Sequence, residues 1–245
     1  MSALSIELDK TALIIVDLQN DFITGSLRVD IAPAKQDPMK LIPKINMFAQ
    51  TNFKLVIYTR DWHPRNHISF HENLKDWELH PSSKIREKDL AKTFEEVILV
   101  NTKGDSYKQM LWPTHCVQHT NGSLFPDCLQ IPEGALILDK GTVVDIDCYS
   151  AFGLCDQRAD TGLHEILTKN GIANVLVCGV ATDWCVAATC RDASTLKYNV
   201  MLIKDLCCGI DPDAITNTYC ELQEKYHVRL TTSHEVRLNM PFDFI

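Results

Sequence analysis

The chain has 245 residues, of which 45% are hydrophobic and 23% charged, so it can form one large globular domain or two small ones. Its formal net charge of -8 at pH 7 argues against nucleic acid or an anionic membrane surface as the main partner. No apolar run approaches about eighteen residues and the N-terminal residues do not resemble a signal peptide, so we expect neither a membrane span nor a leader.

Six short runs rich in Val, Ile and Leu predict six strands. Each run is continuous rather than alternating, which is typical of strands buried on both faces of a parallel sheet. The runs cover residues 12–17, 54–59, 135–140, 174–179, 199–204 and 227–232. Helical patterns separate most of them, so the sequence predicts an α/β protein with a mainly parallel sheet.

Three of the intervening segments carry helix-end signals. The patterns over 37–48 and 211–226 both open with Asp-Pro, which is typical of a helix N-terminus. The pattern over 159–171 closes with Asn-Gly, a common C-terminal signal. The connection over about 60–134 interrupts the alternation of strands and helices, and it contains one further short strand candidate at 95–101. A connection of this length is usually functional, and we expect one domain over 1–245 that includes it.

The pattern of the ten cysteines does not indicate a disulfide framework. Cys178 lies in a strand run, Cys190 lies in a helical run, and Cys207 and Cys208 are adjacent. The spacings do not repeat and no C-x2-C pair occurs, so a structural zinc ribbon is not expected. This usage predicts a reduced, cytoplasmic protein whose cysteines serve mostly as small apolar residues.

Polar residues gather at the carboxyl ends of the predicted strands, where open parallel sheets bind ligands. Asp17 ends the first run, Asp61 and His63 follow the second, and Lys140 ends the third. The fourth run leads into the segment that contains Cys185. We therefore expect an acid, a metal-type pair, a lysine and a thiol on one edge of the sheet.

Cys185 and Cys190 are predicted to differ in role. Thr182 is a plausible N-cap, which would put Cys185 in the first helical turn beside free backbone N–H groups. That position favours a reactive thiol, although a small buried residue filling the corner is the structural alternative. Cys190 shares a helical stripe with Val186 and Ala193, which indicates a core position.

Asp61 and His63 can both turn toward one cation, and this donor pair suits zinc, iron or manganese. The alternative is an ordinary turn with surface histidines. A third ligand is needed, and the residues alone leave five candidates open, namely His67, His71, His80, His115 and His119.

These motifs together resemble the nicotinamidase branch of the isochorismatase-like hydrolases. The matching stretches span almost the whole chain and are ALIIVDLQNDF, YTRDWHPRNHISF, WPTHCVQHT, LDKG, DCYSAFG and GVATDWCV. The resemblance implies a three-layer α/β/α fold around a six-stranded, mainly parallel sheet. In that sheet the first and fourth strand runs are neighbours, which would bring Asp17 beside Cys185.

The resemblance also implies roles for individual residues. A catalytic triad would consist of Asp17, Lys140 and Cys185. One divalent metal ion, usually zinc and alternatively Fe²⁺ or Mn²⁺, would be held by Asp61, His63 and His115. The amides of Ala181 and Cys185 would form an oxyanion hole after a cis Val180–Ala181 bond. The pyridine ring would be enclosed by Phe22, Trp112 and Tyr149, for which ordinary aromatic packing is the alternative.

Two departures from the family pattern stand out. Cys148 occupies a position where the family more often has serine. The stretch from His63 to His115 is longer than in compact members of the family. The resemblance therefore does not determine the path of this loop region, which is expected to bind the metal ion and the substrate. We expect a homo-oligomer. Whether the extra length of this stretch contributes to its contacts is open.

The reaction implied by the resemblance is hydrolysis of nicotinamide to nicotinate and ammonia in NAD salvage, with pyrazinamide as a further substrate. The nearest rivals are another amidase of the superfamily and a vinyl-ether isochorismatase. The latter would need neither Cys185 nor the Asp61–His63 pair. A binding protein without catalysis would not need the whole triad. A dinucleotide-binding protein is disfavoured, because DLQNDF follows the first strand in place of G-x-G-x-x-G.

Overall fold

A computed structural model describes residues 6–238, so residues 1–5 and 239–245 of the predicted domain lie outside the described part. The strands are β1 Thr11–Val16, β2 Leu55–Asp61, β3 Glu78–Leu79, β4 Glu96–Val100, β5 Ser106–Met110, β6 Leu136–Lys140, β7 Asn174–Val180, β8 Asn199–Cys208 and β9 Arg229–Thr231. The α-helices are α1 Asn20–Ile23, α2 Ile42–Ala49, α3 Leu163–Lys169, α4 Ala187–Thr195, α5 Pro212–Glu224 and α6 Ser233–Leu238.

Six of the strands form one parallel sheet in the order β6-β2-β1-β7-β8-β9, with flanking helices. This confirms the predicted α/β class and the predicted pairing of the first and fourth runs. Every residue of β1 is buried, as the continuous apolar pattern indicates. The bounds differ from prediction mainly at the far edge, where β8 continues to Cys208 and β9 covers three residues.

The predicted helices occur, and their end signals have the expected local roles. Asp211 precedes α5 and its carboxylate accepts hydrogen bonds from the amides of Asp213 and Ala214, at 3.0 and 2.9 Å. Gly171 follows α3 with a φ of 67°, the left-handed conformation that ends many helices. The Asp-Pro at 37–38 opens a short 3₁₀ turn, Pro38–Lys40, and α2 begins just after it.

The long connection contains a second, three-stranded antiparallel sheet in the order β3-β4-β5. β4 confirms the predicted short strand, whereas β3 and β5 were not predicted. This small sheet has a hydrophobic cluster of its own, made of Ile68, Leu74, Ala91, Val97, Leu99 and Leu111. The connection therefore has regular secondary structure and a small hydrophobic core of its own.

β1 and β7 approach each other closely at their carboxyl ends, and this contact positions the segments that follow. Val16 pairs with Gly179 across the two strands. Gly179 has a φ of 114°, and a Cβ built on it would lie 2.1 Å from the carbonyl oxygen of Val16. A residue with a side chain does not fit there, so glycine allows the two chain ends to leave the sheet side by side.

Two further expectations can be compared with the structure. All ten cysteines lie among the described residues, and each is a free thiol. Within residues 6–238, no helix has both the length and the apolar character needed to cross a membrane.

Candidate active site

The carboxyl ends of four neighbouring strands bring the predicted triad residues together. Asp17 follows β1, Asp61 and Lys140 are paired at the ends of β2 and β6, and Cys185 lies in the turn after β7. All four side chains are at least nine-tenths buried. Sheet register therefore gathers groups that are far apart in sequence.

Lys140 is the centre of this cluster. Its Nζ lies 2.9 Å from Asp17 Oδ2, 2.5 Å from Asp61 Oδ1 and 3.4 Å from Cys185 Sγ. Burial alone lowers the pKa of a lysine, but the two carboxylates outweigh it and raise the pKa of Lys140 well above its ordinary value. One buried ammonium therefore faces two carboxylates and a thiol.

Asp17 is held in an unusual backbone conformation for a residue with a side chain, with a φ of 51°. The Thr59 hydroxyl donates to Asp17 Oδ1 at 2.6 Å, and the Asp17 amide donates to the same Thr59 oxygen at 3.2 Å. Burial raises the pKa of Asp17 to about 6, although Lys140 acts in the opposite direction. The carboxylate is thus fixed in direction and is a stronger base than an exposed aspartate.

The segment around Cys185 forms a wide turn over Thr182–Val186 that continues into α4. The prediction of Thr182 as N-cap is wrong. Ala181 occupies that place, because its carbonyl accepts the first hydrogen bonds, from Trp184 at 3.0 Å and Val186 at 3.1 Å. These bonds bypass the Cys185 amide. The Val180–Ala181 bond is cis, as the resemblance implied.

The two cysteines of this segment have different surroundings. Cys185 contacts the charged cluster, and burial raises the pKa of its thiol well above its ordinary value even though Lys140 lowers it. Cys190 is fully buried with Val186 and Ala193 in the main hydrophobic core. The core position predicted for Cys190 is therefore confirmed.

Asp61, His63 and His115 form a compact donor set. The Nε2 atoms of His63 and His115 lie 3.6 and 3.9 Å from Asp61 Oδ2. Each histidine Nδ1 lies 2.8 Å from a carbonyl oxygen, that of Gly141 or Pro113 respectively. A carbonyl can only accept, so each Nδ1 carries a proton and each Nε2 faces the shared centre.

The charge and chemistry of this donor set fit a divalent metal ion. Burial lowers the pKa of His115 to about 4, so its ring is neutral at pH 7. Burial also lowers the pKa of His63, but Asp61 outweighs it and raises that pKa above its ordinary value. Burial raises the pKa of Asp61, but Lys140 and His63 outweigh it and hold that pKa well below its ordinary value. One carboxylate and two imidazoles suit zinc, Fe²⁺ and Mn²⁺.

The other candidate histidines have different contacts, and His67 also forms a second possible donor group with His63 and Asp147. His67 stacks on His63 at 4.2 Å, but its two nitrogens lie within 3.0 Å of Ser69 Oγ and the Ile146 carbonyl. His71 Nε2 lies 2.9 Å from the Ala91 carbonyl oxygen, and His80 contacts Ser82. His119 is exposed and packs edge-on against Trp62. His115 therefore completes the set that faces the cluster.

A narrow pocket connects the thiol cluster to the donor set. The three aromatic residues named from the sequence, Phe22, Trp112 and Tyr149, all line it. Trp112 Nε1 donates to the Tyr149 hydroxyl at 3.1 Å, which fixes both rings. Sequence reasoning missed the other lining residues, Leu27, Val29, Asp147, Trp184 and Ile210.

Known proteins are similar to this chain over most of its length. The isochorismatase domain model matches residues 11–235. The chain belongs to the isochorismatase family.

Within this family, the nicotinamidase of Acinetobacter baylyi is 39% identical over 201 residues, which are 82% of each chain. The solved nicotinamidase/pyrazinamidase of Acinetobacter baumanii has a TM-score of 0.77 and 36% identity, and covers 94% of this chain and all of its own. A pyrazinamidase of Pyrococcus horikoshii, solved in complex with zinc, has a TM-score of 0.67 and 33% identity over 91% of this chain and 99% of its own. The resemblance to the nicotinamidase branch is confirmed.

The missed lining residues show what a family-level motif does not contain. Leu27 and Val29 lie in a segment without regular spacing, and Ile210 follows the extension of β8 past its predicted end. Asp147 stands one position before Cys148 in the matched stretch DCYSAFG, and that acidic residue was the one available signal.

Proposed function

We propose that this chain is a nicotinamidase, which hydrolyses nicotinamide to nicotinate and ammonia through a thioester on Cys185. The observation that carries the proposal is the 3.4 Å contact between Cys185 Sγ and Lys140 Nζ, with Asp17 in the same buried cluster. A thiol beside a base and a cation is suited to attack on an amide carbon. The nicotinamidases among the relatives support the choice of substrate.

In the first half-reaction, Asp17 accepts the Cys185 proton while the sulfur forms a bond to the carboxamide carbon. Burial raises the pKa of the thiol, so it is neutral before attack and loses its proton as the bond forms. Lys140 favours the ionised form of Asp17 and orients it.

Negative charge then develops on the substrate oxygen. We assign its stabilisation to the amide N–H groups of Ala181 and Cys185, in keeping with the first-turn hydrogen bonds that bypass Cys185. When the intermediate collapses, the C–N bond breaks and Asp17 gives its proton to the leaving nitrogen. Ammonia departs and the acyl group stays on Cys185.

In the second half-reaction, Asp17 is again a carboxylate and accepts a proton from water as the water oxygen attacks the thioester carbon. The C–S bond breaks, and Asp17 returns a proton to the Cys185 sulfur. Nicotinate leaves. Each half-reaction thus uses the same carboxylate first as a base and then as an acid.

Asp61, His63 and His115 are proposed to hold one divalent ion, for which zinc is our first choice because the Pyrococcus horikoshii relative was solved with zinc. When bound, the ion would supply a Lewis-acidic centre that holds the pyridine nitrogen and polarises water. Fe²⁺ and Mn²⁺ suit the same donors. We assign Phe22, Trp112 and Tyr149 to enclosing the pyridine ring.

Four properties accompany this proposal as further predictions. We expect hydrolysis of pyrazinamide, which keeps a ring nitrogen at the nicotinamide position. We also expect a role in NAD salvage, a cytoplasmic location and a homo-oligomer.

The experiment is to incubate the purified protein with nicotinamide and measure ammonia and nicotinate, with Cys185→Ala as the control protein. Benzamide is the comparison substrate, because it has the same carboxamide but no ring nitrogen. A site built around a polar partner rejects an analogue without that partner by about 10⁴. Absence of ammonia release would contradict the proposal, and benzamide turnover within about tenfold of nicotinamide would replace it with a general amidase.

A further inference from the structure

A second, larger cavity lies directly outside the narrow pocket. It has a volume of about 580 Å³, against about 30 Å³ for the pocket beside Cys185. Most of the segment 26–33 lines it, together with Phe94, Ile210 and Asp211. We call this cavity the outer chamber.

The outer chamber lies next to the pocket and shares part of its wall. Leu27, Val29 and Ile210 line both, so these three side chains form the boundary between the two spaces. A substrate whose amide lies at Cys185 would reach the chamber with a substituent that passes between these side chains.

The chamber wall is apolar, and its charged residues are already engaged. The Arg28 guanidinium donates two hydrogen bonds to the Asp30 carboxylate, at 3.0 and 2.7 Å. Asp211 accepts from the amides of Asp213 and Ala214 at the start of α5. Most of the other lining residues are apolar, among them Leu27, Ile31 and Phe94, and they suit an uncharged apolar group.

Phe94 and Ile31 are exposed although they are large and apolar, with relative exposures of 56% and 62%. Phe94 also has a φ of 68°, which is rare for a bulky side chain, and its amide donates to the Leu111 carbonyl at 2.6 Å. Its ring packs edge-on against Trp112 at 5.9 Å between centroids, and Trp112 lines the inner pocket. The small sheet thus holds an aromatic ring at the chamber wall in a conformation that its sequence does not favour.

We propose that the outer chamber binds an apolar substituent of the substrate, so that the enzyme hydrolyses pyridinecarboxamides that carry an aryl or alkyl group as well as nicotinamide itself. This inference rests on the proposed function. Ile31 and Phe94 are then specificity-determining residues that lie outside the reacting centre.

The test is a panel of nicotinamides that carry a phenyl group at ring position 5, away from the ring nitrogen, or a benzyl group on the amide nitrogen. We expect at least one of them to keep a kcat/KM within tenfold of that for nicotinamide. If nicotinamide is hydrolysed and every substituted compound reacts more than about tenfold more slowly, the chamber does not receive a substituent. If nicotinamide itself is not hydrolysed, the proposed function fails instead.

Variants then assign the effect to the chamber. Ile31→Ala and Phe94→Ala should each lower the ratio of kcat/KM for the accepted compound over nicotinamide by about tenfold, the scale of one lost apolar contact in a pocket. Leu90→Ala is the matched control, because Leu90 belongs to the same connection and is 66% exposed but does not line the chamber. Its ratio should not change.

Two results would contradict the proposal that the outer chamber binds a substituent of the substrate. An unchanged ratio in both chamber variants would overturn it. So would a change of oligomeric state in Phe94→Ala by analytical ultracentrifugation, because the chamber wall would then be a contact between copies of the chain. Thermal unfolding of each variant confirms that the proteins compared are folded.

Discussion

Cys185 and Cys190 are both buried, but their neighbours give them different consequences on substitution. Cys185 contacts Lys140 and lies in the cluster with Asp17, whereas Cys190 packs in the main core. We expect Cys185→Ala to abolish ammonia release, because the thioester cannot form. Cys190→Ala should keep most of the activity and lower the free energy of unfolding by about 1 kcal/mol. Steady-state kinetics measure the activity of both variants, and urea unfolding measures their stability. Near-normal activity in Cys185→Ala would refute the mechanism.

Asp17 gives the activity a pH dependence of known sign. Burial raises its pKa to about 6, and the first step needs the ionised carboxylate. The base form is therefore lost as the pH falls through about 6, and kcat/KM should drop about tenfold per pH unit below that value. The measurement is kcat/KM for nicotinamide between about pH 4.5 and 8, within pH limits set by a separate stability test.

Asp17→Asn is the control for this pH profile. The substitution removes the base while keeping the size of the side chain. We therefore expect kcat/KM to be low at every pH and to show no decrease centred near pH 6. A wild-type profile that stays flat down to about pH 4.5 would show that a group other than Asp17 takes the proton.

The site residues differ in how far the sequence could predict them. Asp17, Asp61 and Lys140 could be found because parallel strands end at a common edge. His115 could not be chosen from the residues alone, because its place depends on the path of the connection. That path is set by non-local backbone hydrogen bonds, such as the one from the His63 amide to the Cys116 carbonyl at 3.1 Å. The resemblance supplied what spacing could not.

At the scale of elements, the close contact of β1 and β7 depends on one glycine. A Cβ on Gly179 would lie 2.1 Å from the Val16 carbonyl oxygen, and its φ is 114°. We expect Gly179→Ala to lower the free energy of unfolding by about 3 kcal/mol or more, since neither backbone can move without breaking the sheet. Urea unfolding followed by circular dichroism measures this change.

Gly171→Ala is the matched control for that experiment. Gly171 also has a positive φ, 67°, but a Cβ there would meet no atom within 4 Å. The variant should therefore lose about 1 kcal/mol from backbone strain alone. Equal losses in the two variants would mean that the contact between β1 and β7 adds nothing beyond the conformation of the glycine.

The elements themselves were predictable where burial leaves a pattern in the sequence. The strand runs of the central sheet are apolar because most of these strands are buried on both faces, and β1 is buried throughout. β5 was missed because SYKQM is mostly polar and half exposed, and it is a strand because it pairs with β4. Such pairing is a property of the folded chain rather than of the local residues.

At the scale of the whole molecule, the proposed metal donors connect the main sheet to the long connection. Asp61 ends β2 and His63 follows it, whereas His115 comes after β5. An ion that binds these donors in the folded state alone stabilises the fold, by about 4 kcal/mol at a thousandfold excess over its Kd. We expect about one metal ion per chain in the purified protein by mass spectrometry of the metal. A strong chelator should remove it, lower Tm and abolish activity, and zinc should restore all three.

His115→Ala and His80→Ala separate this proposal from ordinary surface binding of zinc. His115→Ala removes a buried donor at the shared centre, so its metal content should fall sharply and zinc should no longer raise its Tm. His80 contacts Ser82 away from the donor set, so His80→Ala should behave like the unchanged protein. If His115→Ala still carries one ion per chain and still melts higher with zinc, the third ligand lies elsewhere. His67 would then be the next candidate, because its ring stacks on His63 and a change in its contacts with Ser69 would free a nitrogen.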